Sequence, residues 1–110
     1  MSISTHVLDT SIGRPAARIT VRLERETDGW REIVTATTDA DGRAVLVEKG
    51  TAMDAGAYRL TFDVAAYFQM QAVEAFYRHI TIEFVVREAA AHHHVPLLLS
   101  RFGYSTYRGS

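Results

Sequence analysis

The chain is predicted to fold as an all-β sandwich of seven or eight short strands with a single short helix. Three observations carry this expectation. Apolar and polar residues alternate with a period of two in several separate stretches, the pattern of strands that bury one face. Gly- and Asp-rich turn signals interrupt those stretches about every ten residues, as in sandwiches. Only one window, after Asp63, combines a capping residue with a run suited to a helix.

Residues 3 to 10 form the first expected strand, and Gly13-Arg14-Pro15 the turn after it. From 17 to 24 the alternation is clean: Ala17, Ile19, Val21 and Leu23 point one way, Arg18, Thr20, Arg22 and Glu24 the other. Thr27-Asp28-Gly29 turns the chain into a β-branched run from Trp30 to Thr38. Asp39-Ala40-Asp41-Gly42 is the strongest turn signal, and a strand from Arg43 to Val47 follows it. Lys49 to Gly56 reads as a loop. Tyr58, Leu60 and Phe62 alternate with Arg59, Thr61 and Asp63 as another strand. Asp63 can accept from the free amides of a first helical turn, which places a helix over Val64 to Val73. Ile80, Ile82, Phe84 and Val86 mark a long strand. After a connection from Arg87 to Ala91, a last hairpin pairs His93–Ser100 with Tyr104–Arg108. Pro96 cannot donate to a ladder, so pairing should be interrupted there or the strand should lie at an edge.

At 110 residues the chain is one expected domain, residues 1–110. A net charge of −1 supplies no general attraction for nucleic acid or an anionic membrane. With no cysteine there is no disulfide, thiol nucleophile or thiolate metal site. No apolar stretch approaches the ~20 residues of a membrane helix. The opening lacks a basic region followed by an apolar run, so a cytoplasmic location is expected. A small β domain has little interior for a pocket, so a site shared between subunits is anticipated.

The chemistry-bearing residues gather at the end of the chain. Histidines stand at 6, 79, 92, 93 and 94. On a strand His92 and His94 share a face while His93 points away; with His6 they could form a three-histidine zinc site. No carboxylate is evidently placed to orient the rings. A second reading leaves His92 and His93 in a solvated loop. A third makes His94 a metal-free base near neutral pH. Taken singly, His6 would be structural or exposed, Arg43 a solvent charge and Tyr107 a packing residue.

Three separated motifs bear on these alternatives. Ser4-Thr5-His6-Val7-Leu8-Asp9 with Gly13-Arg14-Pro15-Ala16 opens the chain. Thr38-Asp39-Ala40-Asp41-Gly42-Arg43 lies at its centre. His94-Val95-Pro96-Leu97-Leu98-Leu99-Ser100 and Tyr107-Arg108-Gly109-Ser110 close it. Together they resemble the 5-hydroxyisourate hydrolases, transthyretin-related enzymes of purine breakdown, over essentially the whole chain. Phe76-Tyr77 with Ile80–Phe84 is similar to another strand of that family. One position departs: Arg101 stands where the family usually has proline, which would loosen the turn and add a charge near the site.

The resemblance implies a transthyretin-like, immunoglobulin-like sandwich. The implied reaction is hydrolysis of 5-hydroxyisourate to 2-oxo-4-hydroxy-4-carboxy-5-ureidoimidazoline in urate degradation. It also implies no metal or other cofactor, and a homotetramer with substrate sites between dimers. Carried over by motif, His6, Arg43, His94 and Ser110 correspond to the catalytic set, with His6, Arg43 and Tyr107 contacting substrate. Opening a cyclic amide needs an activated water, a stabilised oxyanion and a proton for the leaving nitrogen, which imidazole and guanidinium can supply. The alternative is a non-catalytic transthyretin-like carrier, a branch that has lost this polar set.

Overall fold

The computed structural model describes residues 1–110. Nine strands and one helix build two sheets face to face. The strands are β1 (Ser2–Asp9), β2 (Arg14–Pro15), β3 (Thr20–Thr27), β4 (Gly29–Thr37), β5 (Arg43–Val47), β6 (Gly56–Phe62), β7 (Ile80–Val86), β8 (His92–Leu99) and β9 (Tyr104–Thr106). The helix, α1, spans Val64–Met70. One sheet runs β4-β3-β6-β7; the other runs β2-β1-β8-β9, with β5 also paired to β1. All-β architecture with one short helix is therefore what forms.

Between the sheets lies a single cluster of 21 buried apolar residues. Strands β1, β3, β5, β6, β7 and β8 contribute inward-facing residues to it, the arrangement that keeps apolar area from water at ~25 cal/mol per Å². Ile3 and Val7 on β1 meet Val21 and Leu23 on β3, Tyr58, Leu60 and Phe62 on β6, and Leu97 and Leu99 on β8. The same alternation turns Thr5 and Asp9 inward, where both find partners. Thr5 donates to the Val95 carbonyl at 2.6 Å. The Asp9 carboxylate accepts from the Tyr67 hydroxyl at 2.8 Å and from the Ser11 amide at 3.0 Å, which ties α1 to β1. Burial drives the Tyr67 hydroxyl up to about 12, so it stays a donor.

The flank of β1 away from β8 is shared. β5 covers Ile3 to His6 and β2 covers Leu8 and Asp9. At the changeover, the Val7 amide donates to the Gly42 carbonyl at 2.7 Å and the Val7 carbonyl accepts from Ala16 at 2.9 Å. Gly42 has φ +76°, and a Cβ there would lie 2.3 Å from the Val7 carbonyl oxygen. Only glycine fits this crossing without displacement.

Several expectations need correction. Arg14-Pro15 is a two-residue strand rather than turn alone, held against Leu8 and Asp9. The strand expected from 17 begins at Thr20, because Arg18 sits at φ +63° and Thr38 takes over the backbone of Arg18 and Ile19. A bulge between Leu23 and Glu24 shifts the register and buries Glu24, whose carboxyl is held below its ordinary range by the Arg59 hydrogen bond at 2.9 Å. The helix stops at Met70 rather than Val73, where Ala72 adopts φ +56°. Of the two alternatives for Pro96, interruption holds and edge placement does not: the strand is central, and the β1 ladder continues through it opposite His6. Pairing is interrupted only on its β9 side, between Leu97–Thr106 and the isolated His94–Gly109 bridge. The terminal strand accordingly ends at Thr106, not Arg108.

His92 and His93 are also on β8 rather than in a solvated loop, and His93 is buried. Its Nδ1–H donates to the Ala91 carbonyl at 3.1 Å. Burial first, then Arg108 and His92, push its pKa below 6.5, with Glu88 opposing. A folded value below the unfolded one means that protonation favours the unfolded chain. The stabilising contribution is whole above about pH 6.5 and is lost as pH falls through the depressed folded value. His93→Gln should therefore lose less melting temperature than the parent between pH 7 and pH 5; parallel declines in thermal scans would assign the acid sensitivity to other groups.

Candidate active site

The outward residues of three neighbouring strands form the site. On β1 these are Ser2, Ser4 and His6, because Ile3, Thr5 and Val7 point into the core. On β5 they are Arg43 and Val45; on β8, His92 and His94. Antiparallel pairing sets His6 directly opposite Arg43. Parallel pairing sets Ser4 beside His94. His6, Arg43 and His94, far apart in the chain, thus share one surface.

The Asp39–Gly42 turn fixes two of them. The Asp39 carboxylate accepts from the amides of Asp41 and Arg43, each at 2.9 Å, which shapes the start of β5. The Asp41 carbonyl lies 2.8 Å from His6 Nε2. A carbonyl can only accept, so Nε2 carries the proton and Nδ1 holds the lone pair of the neutral ring. The Arg43 guanidinium takes part in none of the ion pairs, which involve Arg22, Arg25, Arg59 and His79. Its donors are left for a ligand.

His94 is half-buried, with Nδ1 2.8 Å from the Ser4 hydroxyl. Its pKa is lowered from 6.5 by burial, then by the basic neighbours His92, Arg43 and His6, with a hydrogen bond to the Ser4 backbone opposing. The ring is therefore neutral at physiological pH and able to accept a proton. His92 repeats the pattern two rungs away: its Nδ1 is 2.5 Å from the Ser2 hydroxyl, and its ring lies 6.1 Å from that of His94 at an interplanar angle of 15°. The sequence reading expected no carboxylate to orient these rings; seryl hydroxyls take that place. Ser2 and Ser4 were not singled out from sequence, although their spacing from His6 already put them on its face.

The zinc arrangement does not form. No three His, Asp or Glu side chains converge as metal ligands. Nδ1 of His92 and of His94 face serines, and Nε2 of His6 faces a carbonyl.

The tail closes one side of the site. The Gly109 amide donates to the His94 carbonyl at 2.8 Å. A Cβ on Gly109 would lie 2.5 Å from His94 Cδ2 and 3.2 Å from Pro96 Cγ, so glycine lets the chain pack flat on the imidazole. Ser110 follows, exposed. Tyr107 is 59% exposed and lines, with His94, Arg108 and residues of β7, a crevice of about 150 Å³. A larger hollow of about 920 Å³ opens beside Ser2, Ser4, Val45 and His92. Arg101 does not loosen its turn. Its Nε donates to the Glu74 carbonyl at 2.6 Å and its own carbonyl accepts from Phe76 at 2.8 Å, strapping the turn to the α1–β7 connection at the far end of β8 from His92. Gly109→Ala should push the tail off His94. Hydrogen exchange at residue 109 should quicken and the His94 ring resonances shift, while melting falls by only a few degrees; unchanged spectra would show that the tail tolerates the methyl group.

Comparison with known proteins shows the family and the fold. The HIUase/Transthyretin family model matches residues 3–109. A 5-hydroxyisourate hydrolase of Deinococcus radiodurans is 46% identical over 114 residues, covering 98% of this chain and 95% of the relative. The structure of 5-hydroxyisourate hydrolase from Klebsiella pneumoniae superposes with a TM-score of 0.88 at 36% identity, over 100% of both chains. Sea bream transthyretin in complex with thyroxine superposes with a TM-score of 0.90 at 31% identity, over 97% of this chain and 93% of that one. Matched from its third residue almost to its end, the chain belongs to the HIUase/transthyretin family.

Proposed function

We propose that this protein is a cytoplasmic 5-hydroxyisourate hydrolase of purine degradation that works without a metal. The names of its relatives supply the substrate. The observation that carries the chemistry is the convergence of His6, Arg43 and a neutral His94 on the β5–β1–β8 face.

Each residue takes a step suited to its geometry. His94 Nε2 removes a proton from water, whose oxygen bonds to the cyclic amide carbonyl. The negative charge that develops on the carbonyl oxygen is met by the Arg43 guanidinium, which is not occupied by a carboxylate of the chain. The C–N bond then breaks and His94 returns the proton to the leaving nitrogen, so one water is consumed and the ring opens. His6, with Nε2–H committed to Asp41, presents Nδ1 as an acceptor to a substrate N–H. Tyr107 and Ser110 are assigned substrate contacts and completion of the site from the tail. A carrier role fits less well, because four basic groups and two seryl hydroxyls line the face where a hydrophobic hormone would need apolar contact.

The site face is open in the single chain, and Val45 on it is 52% exposed. A second layer of protein would cover it and keep bulk water from the developing oxyanion, which supports a homotetramer with sites between dimers. Sedimentation at micromolar concentration should show the tetramer; a fully active monomer would refute shared sites.

Absorbance assays with freshly generated 5-hydroxyisourate should show turnover well above spontaneous decay. Arg43→Ala and His94→Ala should each lower kcat/KM by about a hundredfold or more, the scale of one lost electrostatic donor or one lost base. Because the His94 pKa is depressed, the acid limb of the kcat/KM profile should fall below pH 6.5. Full activity in both variants would remove them from the mechanism.

A further inference from the structure

We propose that Ser4 is a positioning residue for this reaction, accepting a hydrogen bond from Nδ1–H of His94 so that Nε2 is held bare toward the attacking water. The inference rests on the assignment of His94 as the base.

The two residues are Cα partners in the parallel β1–β8 ladder, and the hydroxyl oxygen lies 2.8 Å from Nδ1. The ladder fixes this pairing through the backbone, so the contact does not depend on a flexible loop. On its other side the ring is covered by Gly109, so closely that a Cβ there would lie 2.5 Å from Cδ2 and 3.3 Å from Cγ. Ser2 and His92 repeat the geometry two rungs along, on the same face, as a shared register requires.

The direction of the hydrogen bond decides what His94 can do. If the hydroxyl donated to Nδ1, the neutral ring would carry its proton on Nε2 and could not take one from water. With Nδ1–H donating to the hydroxyl oxygen, Nε2 is the free base, and the same bond persists when the ring becomes imidazolium. A carboxylate would orient the ring equally well, as in a Ser-His-Asp triad. It would also stabilise the imidazolium and raise the pKa. The groups facing His94 are Arg43 on β5, His6 on β1 and His92 on β8, all basic. A neutral serine orients the ring while leaving burial and those basic neighbours to keep it unprotonated.

Ser4→Ala and Ser4→Thr, made in the full chain, separate this role from others, with the parent and His94→Ala as references. Ser4→Ala should lower kcat about tenfold with KM nearly unchanged, a partial loss of general-base efficiency. Its acid limb should move to lower pH, because an acceptor that favours imidazolium has gone. Ser4→Thr keeps the hydroxyl and should restore most of the rate, and melting temperatures should stay within a few degrees. NMR of the imidazole nitrogens in the parent should find the proton of neutral His94 on Nδ1. Parent-like kcat and pH profile in Ser4→Ala, or a proton on Nε2, would overturn the proposal. A Ser4→Ala loss as complete as that of His94→Ala, not rescued by threonine, would overturn it in favour of a nucleophilic serine. An inactive parent, or a fully active His94→Ala, would instead refute the assignment of His94 on which the inference rests.

Discussion

The parallel pairing of β1 with β8 is the constraint on which the site depends. Eight consecutive rungs, from Ser2–His92 to Asp9–Leu99, lock two segments ninety residues apart in one register. A slip of one residue would turn His94 into the core and Val95 out to solvent. The inward residues of both strands, Ile3, Thr5 and Val7 with Val95, Leu97 and Leu99, resist that slip through the area they bury. Hydrophobic packing on one side of the sheet therefore sets the geometry of the chemistry on the other. The same alternation that buries Ile3, Thr5 and Val7 presents Ser2, Ser4 and His6.

The second constraint is electrostatic. The site gathers His6, Arg43, His92 and His94 with no carboxylate bonded to any of their side chains. Partial burial, then repulsion from its basic neighbours, keeps His94 neutral, and Arg43 is left with donors to spare. A pair of oppositely charged groups would have been more stable alone but would have quenched both. The polar bonds that hold the rings come from hydroxyls and carbonyls, which fix orientation without neutralising charge.

The sandwich itself does not choose between hydrolysis and carriage. It superposes equally well on a hydrolase and on a transthyretin holding thyroxine, a case in which function lies in residues grafted onto a shared fold. The distinction rests on a handful of outward positions on β1, β5 and β8. Gly42 and Gly109 support them from beneath and beside: each lets backbone approach where a side chain could not, at the Val7 carbonyl and at the His94 ring.

Much of this was legible in the sequence, for local reasons. Alternation marked β3, β6 and β7 because a strand that buries one face must write a period of two. The Asp39–Gly42 turn was legible because few residues tolerate its backbone, and the motifs around His6, Arg43 and His94 named the site. Where non-local contacts decide, the reading failed. Arg18 leaves the strand pattern because Thr38 captures its neighbours' backbone; His93 looks like a polar loop residue until β8 pairs with β1 and turns it inward; Arg101 looks like a looser turn until Glu74 accepts its guanidinium. Ser4 is the clearest case. Nothing adjacent to it explains its role, since its partner lies ninety residues away and only the register of a parallel ladder brings them together. The sequence by itself determined which residues alternate, turn and carry reactive groups, because those properties are local; only the tertiary structure decided which of them meet, because pairing of distant strands is settled by the whole buried core.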